Sequence, residues 1–341
     1  MTSPDRRPNS SPFADLFSEC IPYYYESVNL RLSSFPAIWS PATILPGDVN
    51  AENKWESIEP FVPDITIKGT PSGDISHVSY APDDRDCWWT FSKCNIPKLH
   101  GLPDDIAEIP EPHTLVYSFD DGPNCSHNAF YDYLSSQNQK ATMFYIGSNV
   151  LDWPLEARRA VSDGHEICVH TWSHRYMTSF TNRDAFAELY YSMQAIKLVT
   201  DVTPTCWRPP FGDVDDRIRA IADGLGLRTV LWKYDTNDWR VETSEISDAD
   251  ALVMGAVDAN YETLLQEAEQ GTFSQAGAIL LAHELNNFTM TEAIKYHQRL
   301  KSAFRHIVPL AVALNKTQPY IEEEVTMPNF MECTTQFQVT I

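Results

Sequence analysis

Between Thr114 and about residue 310, two hydrophobic periods take turns along the chain. Short apolar runs with strand character begin at Thr114 (TLVYSF), Ala141 (ATMFYIG), His165 (HEICVH), Thr205 (TCWRP), Arg228 (RTVLWKYD) and Ala278 (AILLAHE). Each is followed by a stretch with helical spacing: in order, HNAFYDYLSSQ, PLEARRAVSDG, RDAFAELYYSMQAIKLV, DDRIRAIADGLG, ADALVMGAVDANYETLLQEAEQ and TEAIKYHQRLKSAFRHI. In the third of these, Phe186, Leu189, Tyr190, Met193 and Ile196 recur at the spacing of one buried helix face, so its Met and Tyr are read as core. Strands alternating with helices predict a parallel sheet with helices outside it.

The pattern before Thr114 is different. Residues 1–112 are rich in Pro, Ser and aromatics, show little sustained periodicity and end in the Pro-studded LPDDIAEIPEP, which predicts an irregular extension packed against the main domain. Within it, FVPDITIKG from Phe61 is read as a short strand. Trp88, Trp89 and Phe91 could form a sugar-stacking platform, although aromatics in an irregular segment more often anchor it to a core. There is no repeat of fixed period and no low-complexity tract.

Five polar segments sit where strands should end: SFDDGP (Ser118 to Pro123), HTWSH (His170 to His174), RPPFGD (Arg208 to Asp213), DTNDW (Asp235 to Trp239) and LLAH (Leu280 to His283). Barrel enzymes build their sites at this C-terminal mouth. Asp120 and Asp121 are adjacent at a strand end, where alternation turns successive side chains to opposite sides, so two carboxylates can take different jobs in one pocket. An Asp-Asp-Gly-Pro turn by itself is an ordinary turn signal. What changes its meaning is His170 and His174, spaced so that both rings can face one point within a helical turn. One carboxylate and two imidazoles make an open, borderline-soft site that suits Zn²⁺. Arg208, Asp235, Asp238 and His283 add a cation, two carboxylates and a third imidazole.

In content, order and approximate spacing the five segments resemble the motifs of the polysaccharide deacetylase (NodB-homology) family, the family four carbohydrate esterases, over residues 114 to about 310. The surrounding residues look most like those of fungal chitin deacetylases. The resemblance implies Asp121, His170 and His174 as ligands of Zn²⁺ or another divalent metal such as Co²⁺, Asp120 as general base and His283 as general acid. Arg208 would pair with Asp120, Asp238 in preference to Asp235 would hold His283, and Asp235 would lie beside Arg208. The backbone N–H of Phe211 would face the oxyanion, and Trp239 and Leu281 would line an apolar pocket for the acetyl methyl. Ser118 stands where the family usually has threonine and Phe211 where it has tyrosine; the first change keeps the hydroxyl and the second keeps the N–H. His127, His165 and His297 lie outside the motifs and are read as structural or surface residues.

The fold expected is therefore α/β: a distorted, incomplete (β/α) barrel, with residues 113–310 as the catalytic domain, 1–112 as the irregular N-terminal extension and 311–341 as a C-terminal extension. The expected activity is removal of N-acetyl groups from chitin or chitooligosaccharides, giving chitosan and acetate. O-acetyl esterase action on xylan and a catalytically silent wall-binding protein are the alternatives.

Charge sharpens this. With 47 acidic against 25 basic side chains, a net charge of −22 argues against nucleic acid and anionic membrane as partners, since both need a basic face. No apolar run is long enough to span a bilayer, the N-terminus has no apolar core for a signal peptide, and no GPI-type tail follows. Because enzymes of the type resembled are secreted to the wall, the chain is read as a processed or trimmed form, with an intracellular protein as the alternative. Of the seven cysteines, Cys87 and Cys94 bracket a short loop where a disulfide is plausible, Cys168 in EICVH is read as a buried free thiol, and an odd count leaves at least one without an intramolecular partner. Asn287 and Asn315 begin glycosylation sequons.

Overall fold

The computed structural model describes residues 19–241 and 248–335; the N-terminal segment considered above for a signal peptide lies outside these residues. Eight parallel strands form one sheet: β1 (Thr114–Gly122), β2 (Thr142–Tyr145), β3 (Glu166–Val169), β4 (Cys206–Trp207), β5 (Arg228–Thr229), β6 (Tyr234–Asp235), β7 (Ala278–His283) and β8 (His306–Val308). β7 accompanies β1 from Leu115 to Asp120, while β8 pairs with its first half and β2 with its second. The order runs β5-β4-β3-β2-β1-β7-β6.

The run RTVLWKYD, expected as one strand, is two. β5 pairs with β4 at one edge of the sheet and β6 with β7 at the other. Only residues 230–233 link them, so the sheet must curl until its edges approach. They do not pair with one another. Ile106 of the N-terminal extension enters this break: it bridges Val230, with its N–H donating to Thr229 and its carbonyl accepting from Leu231, both at 2.9 Å. The result is an incomplete barrel whose seam is partly covered by chain from outside it.

Helices α1 (Asn128–Ser136), α2 (Gly147–Asp152), α3 (Pro154–Ser162), α4 (Asn182–Thr200), α5 (Asp216–Gly224), α6 (Asp248–Glu269) and α7 (Asn287–Ala303) surround the sheet. Strand alternation sorts the core into two layers. Leu115, Tyr117, Phe119, Met143, Ile167, Trp207 and Leu280 face the helices, where Phe186, Leu189, Met193 and Ile196 of α4 meet them; Tyr190 of the expected stripe is half-buried. Val116, Phe144, Cys168, Cys206 and Ile279 face the barrel interior. Two residues further along the same strands, and so on the same face, come Ser118, His170, Arg208 and Leu281.

Cys168 and Cys206, neighbours inside the barrel, form a disulfide, which corrects the reading of Cys168 as a free thiol. Cys87–Cys94 and Cys20–Cys125 are also bonded, leaving Cys333 free. FVPDITIKG forms no strand; its Lys68 is instead buried between Asp86 and Asp215, 2.6 Å from each. Trp88 is an anchor, buried with its indole N–H 2.9 Å from the buried Asp213. Phe91 is exposed and packs on Tyr80 and Trp88, whereas Trp89 reaches the active-site cavity. Among its described residues the extension thus has no sheet of its own and is held to the barrel by polar contacts, including Arg219 with Asp105 and with the carbonyls of Cys87 and Cys94.

Candidate active site

At the C-terminal mouth of the barrel a cavity of about 550 Å³ brings together Asp120, Asp121, His170, His174, Phe211, Asp235, Trp239, Leu281 and His283. Arg208 lies fully buried behind it. Asp238 is buried against His283.

Adjacent carboxylates reach one pocket because β1 is irregular between Phe119 and Gly122, where its register with β2 shifts. Asp120 keeps the interior phase of β1, and Asp121 has φ +73°, a left-handed turn that swings it out of alternation. Thr171 (+64°), His174 (+53°), Phe211 (+59°) and Asn237 (+55°) share this backbone state around the cavity. Left-handed conformations at non-glycine residues are costly and persist only where the surroundings enforce them. HTWSH is accordingly a loop and not the helical turn expected; the two left-handed residues fold it so that the His170 and His174 rings lie 5.0 Å apart.

The loop is held from below by Glu188, a fully buried residue of α4. Its carboxylate accepts from the N–H groups of Trp172 and Ser173 and from the Ser173 hydroxyl at 2.7–3.0 Å, and from Ala42 N–H of the extension at 2.7 Å. The turn after Asp121 is held by a second buried carboxylate, Glu284, which accepts from Asn124 N–H and Tyr131 and contacts His127. A Cβ at Gly122 would lie 2.2 Å from Glu284 Oε1, so only glycine fits there. On α2, Asn149 donates to the Asp121 carbonyl at 2.8 Å. Sequence reading missed all three residues.

The carboxylate and imidazoles fit a metal. Asp121 Oδ1 is buried with no hydrogen-bond partner, and it lies 3.4 Å from His170 Nε2 and 3.1 Å from His174 Nε2. All three donor atoms fall within 4.8 Å of one another. Burial would raise the Asp121 pKa, but His174 and then His170 outweigh it and hold the carboxyl well below the usual range, as an anionic ligand requires. His170 Nδ1 is 2.8 Å from the Arg208 carbonyl, which directs its Nε2 to the shared point.

Two polar pairs flank the three donors. Arg208 Nη1 donates to Asp120 Oδ1 at 2.6 Å and its Nη2 to the Ser118 hydroxyl at 3.0 Å. Asp235 makes no direct bond to Arg208 but lies close enough for its charge to act on the guanidinium. The left-handed Asn237 folds the 235–238 turn back so that Asn237 N–H donates to Asp235 at 2.7 Å, and burial raises the Asp235 carboxyl above its usual value. On the other flank, Asp238 Oδ1 is 2.6 Å from His283 Nδ1 and its Oδ2 accepts from His283 N–H at 3.1 Å. Burial alone would lower the His283 pKa; Asp238, followed by Asp121 and Asp120, pushes it up to about 10.

Leu281 is buried, Trp239 is 41% exposed, and Phe211 stacks on Tyr176 at 4.2 Å with its edge toward His174. His127, His165 and His297 are buried within the fold. Thr289 of one sequon is also buried, completing a capping box with Asn286 at the start of α7.

Comparison with known proteins bears on the chain as a whole. Residues 107–230 match the Polysaccharide deacetylase family. Chitin deacetylase 2 of Cryptococcus neoformans var. grubii is 50% identical over 321 residues, which are 93% of this chain and 69% of that protein. The chitin deacetylase of Amylomyces rouxii is 43% identical over 317 residues, 91% of this chain and 73% of that one. Among solved structures, the chitin deacetylase from the fungal pathogen Colletotrichum lindemuthianum superposes with a TM-score of 0.56 at 21% identity, over 64% of this chain and 96% of that one, a likeness of fold.

Proposed function

Because the chain belongs to the polysaccharide deacetylase family, we propose that it is an enzyme that removes N-acetyl groups from the N-acetylglucosamine residues of chitin, giving chitosan and acetate. One observation carries the reaction type: a three-donor cluster, Asp121, His170 and His174, lies between an Arg-held carboxylate and a carboxylate-held imidazole at the mouth of one cavity. Residues 113–310 are assigned as the catalytic unit, flanked by extensions at 1–112 and 311–341.

Asp121, His170 and His174 would hold the metal, with zinc the first choice for this donor set and cobalt a substitute. When bound, such an ion supplies Lewis acidity that polarises the acetamide carbonyl and acidifies the attacking water. Asp120 is the base. Its Oδ1 is occupied by Arg208, so Oδ2 takes the proton from water. The Phe211 N–H would donate to the developing oxyanion, a contribution typically of about 3 kcal/mol. His283, protonated because Asp238 holds it, delivers its Nε2 proton to the leaving amine. Arg208 fixes the orientation of Asp120, Asp235 adds negative charge near Arg208 and His283, and Leu281 and Trp239 wall the site of the acetyl methyl.

Three disulfides suit an oxidising compartment, and a chitin substrate points to secretion or the cell wall. No helix among the described residues is long and apolar enough to cross a membrane. Acetate release from chitin oligomers, with and without a chelator and with zinc restored, tests the proposal. Release from acetylated xylan alone would overturn the substrate, and release from neither would overturn the activity.

A further inference from the structure

The N-terminal extension contributes a residue to the cavity that the five motifs do not account for. Trp39 lines it together with the metal-binding cluster, yet its side chain is 44% exposed and no ring among the described residues packs on it. Burial of apolar surface therefore does not explain its position. Its backbone is left-handed, φ +63°, a state that bulky residues rarely adopt. Two hydrogen bonds hold it there: Trp39 N–H donates to Ser148 Oγ at 2.9 Å, and the indole Nε1–H donates to Asp152 Oδ2 at 3.1 Å. Both acceptors belong to α2, whose Asn149 also holds the Asp121 carbonyl. The ring is thus fixed through one short helix to a residue of the metal-binding cluster, with its polar edge satisfied and apolar surface left uncovered.

A rigid, exposed indole beside a polar reaction centre suits the apolar C–H face of a pyranose ring, because aromatic side chains offer large contact area at little conformational cost. We infer that Trp39 forms a substrate subsite, stacking against an N-acetylglucosamine unit neighbouring the one that loses its acetyl group. The inference rests on the chitin reading above and adds to it a residue from outside the barrel. Trp239, the other exposed indole of the cavity, belongs to the acetyl pocket, so the two tryptophans address different parts of one oligomer. Binding energy collected at Trp39 positions the acetamide for attack, and so favours longer chains.

The test compares kcat/KM for acetate release by the zinc-loaded enzyme on chitin oligomers from dimer to pentamer. Trp39→Ala should lower the ratio of tetramer to dimer kcat/KM by about tenfold, mostly through KM, the scale of one lost stacking contact. Trp39→Phe should recover most of it. Trp39→Asn tolerates the left-handed backbone and removes the ring, so it should melt like the wild type and still show the loss. Phe61→Ala, an exposed apolar residue elsewhere on the extension, should leave the ratio unchanged. An active, length-dependent wild type with unchanged ratios in the Trp39→Ala and Trp39→Asn variants overturns the subsite alone, as does a wild type indifferent to length. A wild type that releases no acetate from any chitin oligomer overturns the substrate reading and the subsite with it.

Discussion

The Nδ1 atom of His170 lies 2.8 Å from the backbone carbonyl of Arg208 and can only donate to it, which turns the other ring nitrogen, Nε2, toward Asp121. His170 and Arg208 directly follow the adjacent strands β3 and β4, and the Cys168–Cys206 disulfide ties those strands two residues earlier. The orientation of one proposed ligand is therefore set by the backbone of the residue that orients the base.

With one ligand fixed in this way, the proposed set is completed by Asp121 and His174. His174→Ala should abolish tight zinc binding and activity together, because two donors leave too open a site. The fold should survive, since the large core does not depend on the ion. Metal content after dialysis, circular dichroism and acetate release check this; full activity in a metal-free variant would remove the assignment.

Glu188 touches no ligand atom but accepts three hydrogen bonds from the loop between His170 and His174. Glu188→Ala should weaken zinc affinity by roughly 10- to 100-fold, the usual scale for groups that position ligands. Competition with a chelator gives the affinity. Saturating zinc should restore a large part of kcat, which a general loss of structure would not allow.

Asp120→Asn should retain the metal and lose roughly 10²- to 10⁴-fold in rate. His283→Ala should lose a similar factor on the acetamide and less on an activated acetyl ester, whose leaving group needs no proton. Equal losses on the two substrates would assign His283 a structural role.

Stability should fall with acid in a way traceable to His165. Burial, aided by Lys140 and other nearby cations, pushes its pKa down to about 3, and its Nδ1 accepts from Ala141 N–H, so it is neutral in the fold. The unfolded chain takes up this proton at the ordinary value of 6.5, so the contribution is complete above that pH. It declines toward pH 3 by about 1.4 kcal/mol per pH unit. Urea unfolding of the metal-free protein at several pH values should show a shallower decline for His165→Gln than for the wild type.

The motifs were legible because each is short and ends a strand whose apolar run announces it. Asp120, Asp121, His170, His174 and His283 could be named without knowing what they touch. Glu188 and Glu284 could not. Each is a single acidic residue beside an apolar helix stripe or strand, and its meaning lies in backbone N–H groups elsewhere in the chain. Cys168 was misread because its partner, Cys206, is a neighbour only after two strands pair. The split of RTVLWKYD into two edge strands was hidden for a related reason: an apolar run does not reveal that pairing partners change along it. Trp39 gave no signal at all, since a left-handed, exposed indole has the same letter as a buried one.

The bridge from Ile106 to Val230 has a consequence for how this protein is made. The extension leaves the ribosome before the barrel, yet its place on the seam does not exist until β4 and β5 have been synthesised and paired. For that interval a segment rich in Trp, Tyr and Phe must wait without a partner. A waiting chain with regular strands would offer its edges to other nascent chains. This one is broken by prolines and turns, and its described residues form no strand. Its irregularity, which looks like a lack of design in the finished molecule, keeps the first part of the chain available until the last parts arrive.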